Sequence, residues 1–160
     1  MRAFSTTGPA TRRGTFFRLF GDKQEVVFAR QQELLDTIAA AARHNGAAAT
    51  SLADAVEQLR PVVLELLTVA VSDPQGYTRH FRLVEQHPEL IDRDAVKTQQ
   101  IARKLGELLV HRGSDEATAM LAGQVAIACY LAAKSPDDDP GTLIERASAS
   151  FARVLTLGIG

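Results

Sequence analysis

Tryptophan is absent from these 160 residues, cysteine occurs once and methionine twice. A lone cysteine, Cys129, excludes an intramolecular disulfide and a thiolate-rich zinc site, and fits a reducing compartment. No uninterrupted run of about 18 apolar residues exists, and the N-terminus lacks the apolar stretch of a secretory signal. A cytoplasmic chain with no membrane partner is therefore expected. Glycine-rich phosphate loops are missing, as is any Ser/His/Asp, Cys/His or paired-carboxylate arrangement of recognisable spacing, so an enzyme is not expected and no cofactor is implied. The four histidines, His44, His80, His87 and His111, include no pair at i, i+4. Solvated rings and helix-end caps account for them better than a metal site does. The acidic run Asp137, Asp138 and Asp139 precedes a helix start, where carboxylates serve as caps.

Alternating valine and isoleucine runs are also missing, while alanine and leucine dominate and Gly/Pro punctuation separates stretches of helical length. The pattern predicts an all-α chain. A short helix is expected over about 11–19, stopping near Gly21. Asp22 then caps a long helix over about 22–43, closed by Asn45 and Gly46 as a left-handed C-cap. Thr50 or Ser51 opens the next, in which Leu52, Val56, Leu59, Val63, Leu67 and Ala70 form one stripe, with Pro61 bending it and not dividing it. After "SDPQG" comes a shorter helix through Tyr77, Phe81 and Val84. A long one follows, starting at Pro88 or Asp92 and stopped by Gly113. Ser114 is expected to open a helix to about 134 that is apolar all round and rich in Ala and Gly. A last helix, about 141–157, carries Leu143, Ile144, Ala147, Phe151, Val154 and Leu155.

Net charge is only −1, but it is unevenly spread. The first thirty residues hold Arg2, Arg12, Arg13, Arg18, Lys23 and Arg30 against Asp22 and Glu25, a balance of +4 that leaves −5 for the remainder. Such an imbalance points to contact with a polyanion at the N-terminal end. Within it, Phe16 and Phe20 share one helix face and can anchor it on the helix behind, leaving Arg12, Arg13, Thr15 and Arg18 outward. Arginine forks suit phosphate oxygens and guanine edges, and Lys23 stands beside the free N–H groups of the next helix start.

The stretch Thr15, Phe16, Phe17, Arg18, Leu19, Phe20, Gly21, Asp22, Lys23 resembles the end of the DNA-binding unit in the TetR family of transcriptional regulators. There a recognition helix runs into the start of a long connecting helix. "RHFRLVEQHPEL", residues 79–90, is similar to a segment in the effector domain of one subgroup. The resemblance implies a TetR-like helical bundle in two parts. Residues 1–43 would be a partial helix-turn-helix region lacking its first two helices, and 50–157 an effector-binding and dimerisation domain. It implies a regulator, a repressor by usual mode, that binds double-stranded DNA through Arg12, Arg13, Thr15, Phe17, Arg18 and Lys23. A small, mostly apolar effector would control it, with Thr68, Tyr77, Gln124 and Tyr130 as its polar contacts. A homodimer would form through helices about 115–134 and 141–157, where small side chains allow close approach. The missing helices leave two explanations open: a chain starting late, or a ligand-binding and dimerisation module that no longer binds DNA and sequesters a full-length relative.

Overall fold

Local capping chemistry sets several helix ends among the described residues. The computed structural model describes residues 30–134 and 139–158, and these contain six α-helices and no strand. The described part of α1 covers residues 30–42. The others are α2 (Leu52–Ala70), α3 (Pro74–Gln86), α4 (Pro88–His111), α5 (Glu116–Ala133) and α6 (Leu143–Thr156), the last entered through a 3₁₀ turn, Pro140–Thr142. The short helix expected over about 11–19 lies outside the described residues. Residues 33–160 form one compact unit, and the packing described below belongs to it.

Ser51 caps α2 by accepting the Asp54 N–H at 3.0 Å, and Asp54 in return accepts the Thr50 N–H at 2.9 Å. Two otherwise orphaned donors are satisfied reciprocally, as in a capping box. The helix runs through Pro61 without a break, the proline being exposed. Asp73 caps α3 by accepting the Gly76 N–H, with Pro74 in the first turn. His87, extended ahead of Pro88, ends α3 and begins α4. At the end of α4, Gly113 adopts φ +98°, its N–H donates to the Val110 carbonyl and the Ser114 N–H to that of Leu109. This is a Schellman closure, and it needs a residue without Cβ at Gly113.

Two expected caps are placed differently. Gly46 is not left-handed. Instead α1 closes through tight i to i−3 bonds, Arg43 N–H to Ala40 and His44 N–H to Ala41, and the bare Gly46 backbone lies against the Arg112 side chain, whose Nε would be 2.7 Å from a Cβ there. Ser114 does not cap α5; Asp115 does, accepting the Thr118 N–H at 3.0 Å. Ser114 is turned inward, 7% exposed, and accepts the Ala49 N–H at 2.9 Å.

The 43–50 segment is thus tied to the α4–α5 corner. Arg112 adds to this by donating to the Ala41 carbonyl of α1 and to Gln58 Oε1 of α2, both at 3.4 Å. Ser114→Ala is expected to cost about 1–3 kcal/mol, because it strands the Ala49 N–H without its acceptor. Urea denaturation followed by far-UV circular dichroism measures this, and no loss would mean that the linker is not anchored here.

Helix α5 lies at the centre, packed on α4, α2 and α6, while α2 also packs on α6. That placement is the reason for its apolar composition, which by length and hydropathy alone would also pass for a membrane span. The core draws Leu34 and Ile38 from α1, Val56, Leu59 and Val63 from α2, Leu105 and Leu109 from α4, and Leu143, Ala147 and Phe151 from α6. By contrast, Val84 is the one buried residue of α3, which packs on α4 and the 3₁₀ turn.

Candidate functional site

Helix α3 has high amphipathicity and little apolar anchoring, so its inner face shows what it is for. Tyr77, His80, Phe81 and Val84 follow one another at spacings of three, one and three, a single helix face. Tyr77 and Phe81 stack at a tilt, ring centres 4.6 Å apart, and His80 meets the edge of Phe81 at 5.1 Å. From α5, Tyr130 and Lys134 stand one turn apart and face this group. The Lys134 ammonium lies 3.5 Å from the centre of the Phe81 ring, a cation–π contact. From α4, Asp94 brings its Oδ1 to 3.5 Å from His80 Nε2, and both side chains are about one-fifth exposed.

Electrostatics follow from this enclosure. Burial pushes the Tyr77 phenol up, an effect that the neighbouring Tyr130 hydroxyl opposes. The Tyr77 oxygen is sealed from solvent without a fully aligned hydrogen bond. Burial drives Tyr130 well above the ordinary phenol range. It also lowers the Lys134 pKa, with Asp94 and Glu85 partly restoring it. For Asp94 burial raises the pKa, but the His80 contact and the charges of Lys134 and Lys97 overcome it, leaving the carboxyl below its usual range.

An Asp with a folded pKa below its unfolded value near about 3.9 stabilises the fold above that pH, and the contribution disappears as pH falls through the folded value. The stability gap between the native chain and Asp94→Asn is therefore expected to be full at neutral pH and to close as pH falls below the ordinary carboxylate range. Thermal melts across that range check it, and a gap that widens on acidification would reverse the assignment.

The structure brings together two of the residues singled out from sequence, Tyr77 and Tyr130. Thr68 and Gln124 are elsewhere. The Thr68 hydroxyl is exposed and donates back to the Leu64 carbonyl of its own helix. Gln124 is exposed on the other side of α5, where it donates to Gln99 of α4 at 3.0 Å. There it lines a groove of about 800 Å³ between α4 and α5, together with Val110, Met120 and Leu121. Arg12, Arg13, Thr15, Phe17, Arg18 and Lys23 lie outside the described residues.

His80, Asp94 and Lys134 are the members that sequence reasoning missed. His80 is neither solvated nor at a helix end but mid-helix and half-buried. Its spacing from Tyr77 and Val84 was the available signal, as was the i, i+4 spacing of Tyr130 and Lys134. Cys129, beside Tyr130, is buried, and burial raises its thiol pKa, which makes it a packing residue of low reactivity. Among the described residues no group of three His, Cys, Asp or Glu side chains could hold a metal ion. Comparison of the chain with protein-family models, curated proteins and solved structures finds no match.

Proposed function

We propose that this chain is the helical part of a TetR-like transcriptional regulator, binding a small effector between α3, α4 and α5 and pairing with a second copy of itself. The observation that carries the reading is the polar cluster of Tyr77, Tyr130, His80, Asp94 and Lys134 at the edge of an otherwise apolar bundle. Convergent polar groups with shifted pKa values in an apolar setting are the signature of a binding site. The wall made by α3 has one fully buried residue where α2 and α5 each have seven, so it is the element most easily displaced by a ligand. The basic stretch from Arg12 to Lys23 supplies the DNA half of the reading.

Helix α4 links the cluster to the end of α1. Its first turns carry Asp94, and its last residue leads into Arg112 and Ser114, which hold Ala41 at the end of α1 and Ala49 in the linker. A shift of α4 caused by a ligand would change the support of the end of α1 that Arg112 holds. Such coupling is a free energy between sites, and it acts in both directions.

Self-association is supported by the outer side of α5. Ala117, Leu121, Gln124, Ala128 and Leu131 are all exposed and spaced four, three, four and three. That is the spacing of a helix–helix seam, and under a twofold axis the same stripe on a second copy would meet it. Leu121→Glu with Leu131→Glu is expected to convert a dimer to a monomer in sedimentation equilibrium without loss of helical signal.

DNA binding is tested by electrophoretic shift against a genomic fragment library, on this chain and on one extended at its N-terminus by two helices of a TetR-type reading unit. Retention that falls steeply with salt is expected for the extended form, because phosphate contacts release counterions. Failure of the extended, folded form to retain any DNA would end the regulator reading.

A further inference from the structure

The outer stripe of α5 is complementary to its own reverse. Ala117, Leu121, Gln124, Ala128 and Leu131 run small, large, polar, small, large. Turned about Gln124, that order sets Ala117 opposite Leu131, Leu121 opposite Ala128, and Gln124 opposite itself. We infer that the second copy lies antiparallel across this stripe with Gln124 on the twofold axis, and that the exposed face of α4 beside it forms the other half of the interface. This rests on the self-association reading above and gives it a register and a second helix.

A parallel pairing would set leucine against leucine and alanine against alanine, so contact at the leucines would leave gaps at the alanines. The antiparallel register puts a large side chain against a small one at every level and keeps the helices evenly spaced, as close packing requires. Because the stripe supplies its own complement, the partner it fits is a second copy, the isologous case. Its centre is polar: Gln124 Nε2 donates to Gln99 Oε1 of α4 at 3.0 Å. That amide pair also has the Gln124 Oε1 acceptor and the Gln99 Nε2 donors. A copy turned about the twofold axis presents the same groups in reverse order, and one polar residue in an apolar seam fixes its register.

Size brings α4 into the interface. The α5 stripe is about 21 Å long and 10 Å wide, roughly 200 Å² of footprint, whereas specific interfaces begin near about 600 Å² per partner. A neighbouring helix about 8–10 Å away roughly doubles the footprint, and side-chain relief raises the area further. Helix α4 runs beside α5 in the opposite direction, with Ala102 at the level of Gly123 and Gly106 at that of Met120. Its Val96, Gln99, Arg103 and Val110 are exposed, and Val110, Met120 and Leu121 line the groove between the two helices. Arg103 is paired with Glu107 at 3.2 Å, so the polar part of this face enters the interface already neutralised.

Cysteine cross-linking with copper phenanthroline on the intact chain tests the register; the parent, whose Cys129 is buried, is the blank. Gln124→Cys is expected to link to itself, while Ala117→Cys and Leu131→Cys link to each other when mixed and not to themselves. Val96→Glu should weaken the dimer by about tenfold or more in sedimentation equilibrium, because the symmetric contact buries the new carboxylate twice. Leu157→Glu, on the exposed end of α6, should leave the dimer unchanged. Retained helical circular dichroism verifies that each variant folds. Self-linking of both Ala117→Cys and Leu131→Cys would overturn the antiparallel register, and an unaffected Val96→Glu dimer would remove α4; in either case self-association itself stands. A parent chain that stays monomeric at millimolar concentration would sink both.

Discussion

Phe151→Ala is expected to lower the free energy of unfolding by about 3–5 kcal/mol, the range for removing a fully buried aromatic ring. Phe151 has no solvent exposure and is the largest of the wholly enclosed side chains. It lies on α6 at i+4 from Ala147 and i+8 from Leu143, the three buried positions of that helix. Because α6 packs on both α2 and α5, the cavity left by the ring opens at the junction of three helices, which cannot all close on it without losing contact elsewhere. Domains of this size are stable by about 5–15 kcal/mol, so one substitution removes a third or more of a typical value. Urea denaturation followed by circular dichroism measures it. The half-buried Phe81, substituted in the same way, should cost clearly less. Equal losses for the two would mean that the core is not centred where the packing places it.

Gly123→Ala should destabilise by roughly 1–3 kcal/mol, although in an exposed helix interior the same change gains up to about 1 kcal/mol from helix propensity. The reversal of sign is the test. A Cβ on Gly123 would collide with the Ala102 carbonyl oxygen of α4 and would lie 3.2 Å from the Gly106 nitrogen. Both are backbone atoms, so relief requires α4 and α5 to separate along their length. Gly106→Ala, on the opposing helix, meets first the Met120 sulfur at 2.8 Å, the end of a flexible side chain, with backbone no nearer than 3.2 Å. It should lose less. A Gly123→Ala variant as stable as the parent would show that the two helices do not cross at these glycines.

That crossing also shows where sequence reading stops. The Ala/Gly content of residues 115–134 says that something approaches this helix closely, and the sequence reading left a second subunit and core packing within one chain as competing explanations. In the structure Ala119, Ala122, Gly123 and Ala126 are buried within the chain, with Gly123 directly against α4. The proposed interface is instead the opposite stripe, from Ala117 to Leu131, which has larger apolar side chains and is exposed. Both stripes obey the helical period, and their residue types alone do not say which faces inward.

The proposed binding site divides in the same way. Tyr77 and Tyr130 were named from sequence as polar candidates for the pocket that the family resemblance implies. Thr68 and Gln124 met the same criterion and face outward. Asp94 sits in polar, charged surroundings of the chain, where nothing local separates a site residue from a solvated one, and the local signal for Lys134 was only its i, i+4 spacing from Tyr130. Only the approach of α3, α4 and α5 gives them their partners and their shifted pKa values.

Sequence by itself determined the all-α character and most helix boundaries. Those rest on interactions within four or five residues: the hydroxyl of Ser51, the carboxylates of Asp73 and Asp115, the ring of Pro88, the missing Cβ of Gly113. Tertiary structure decided which stripe of α5 is buried, what Ser114 and Gly46 are for, and which charges lie together. These depend on contacts between residues far apart in the chain, and the free energy of such contacts is set by the packing of all the helices together.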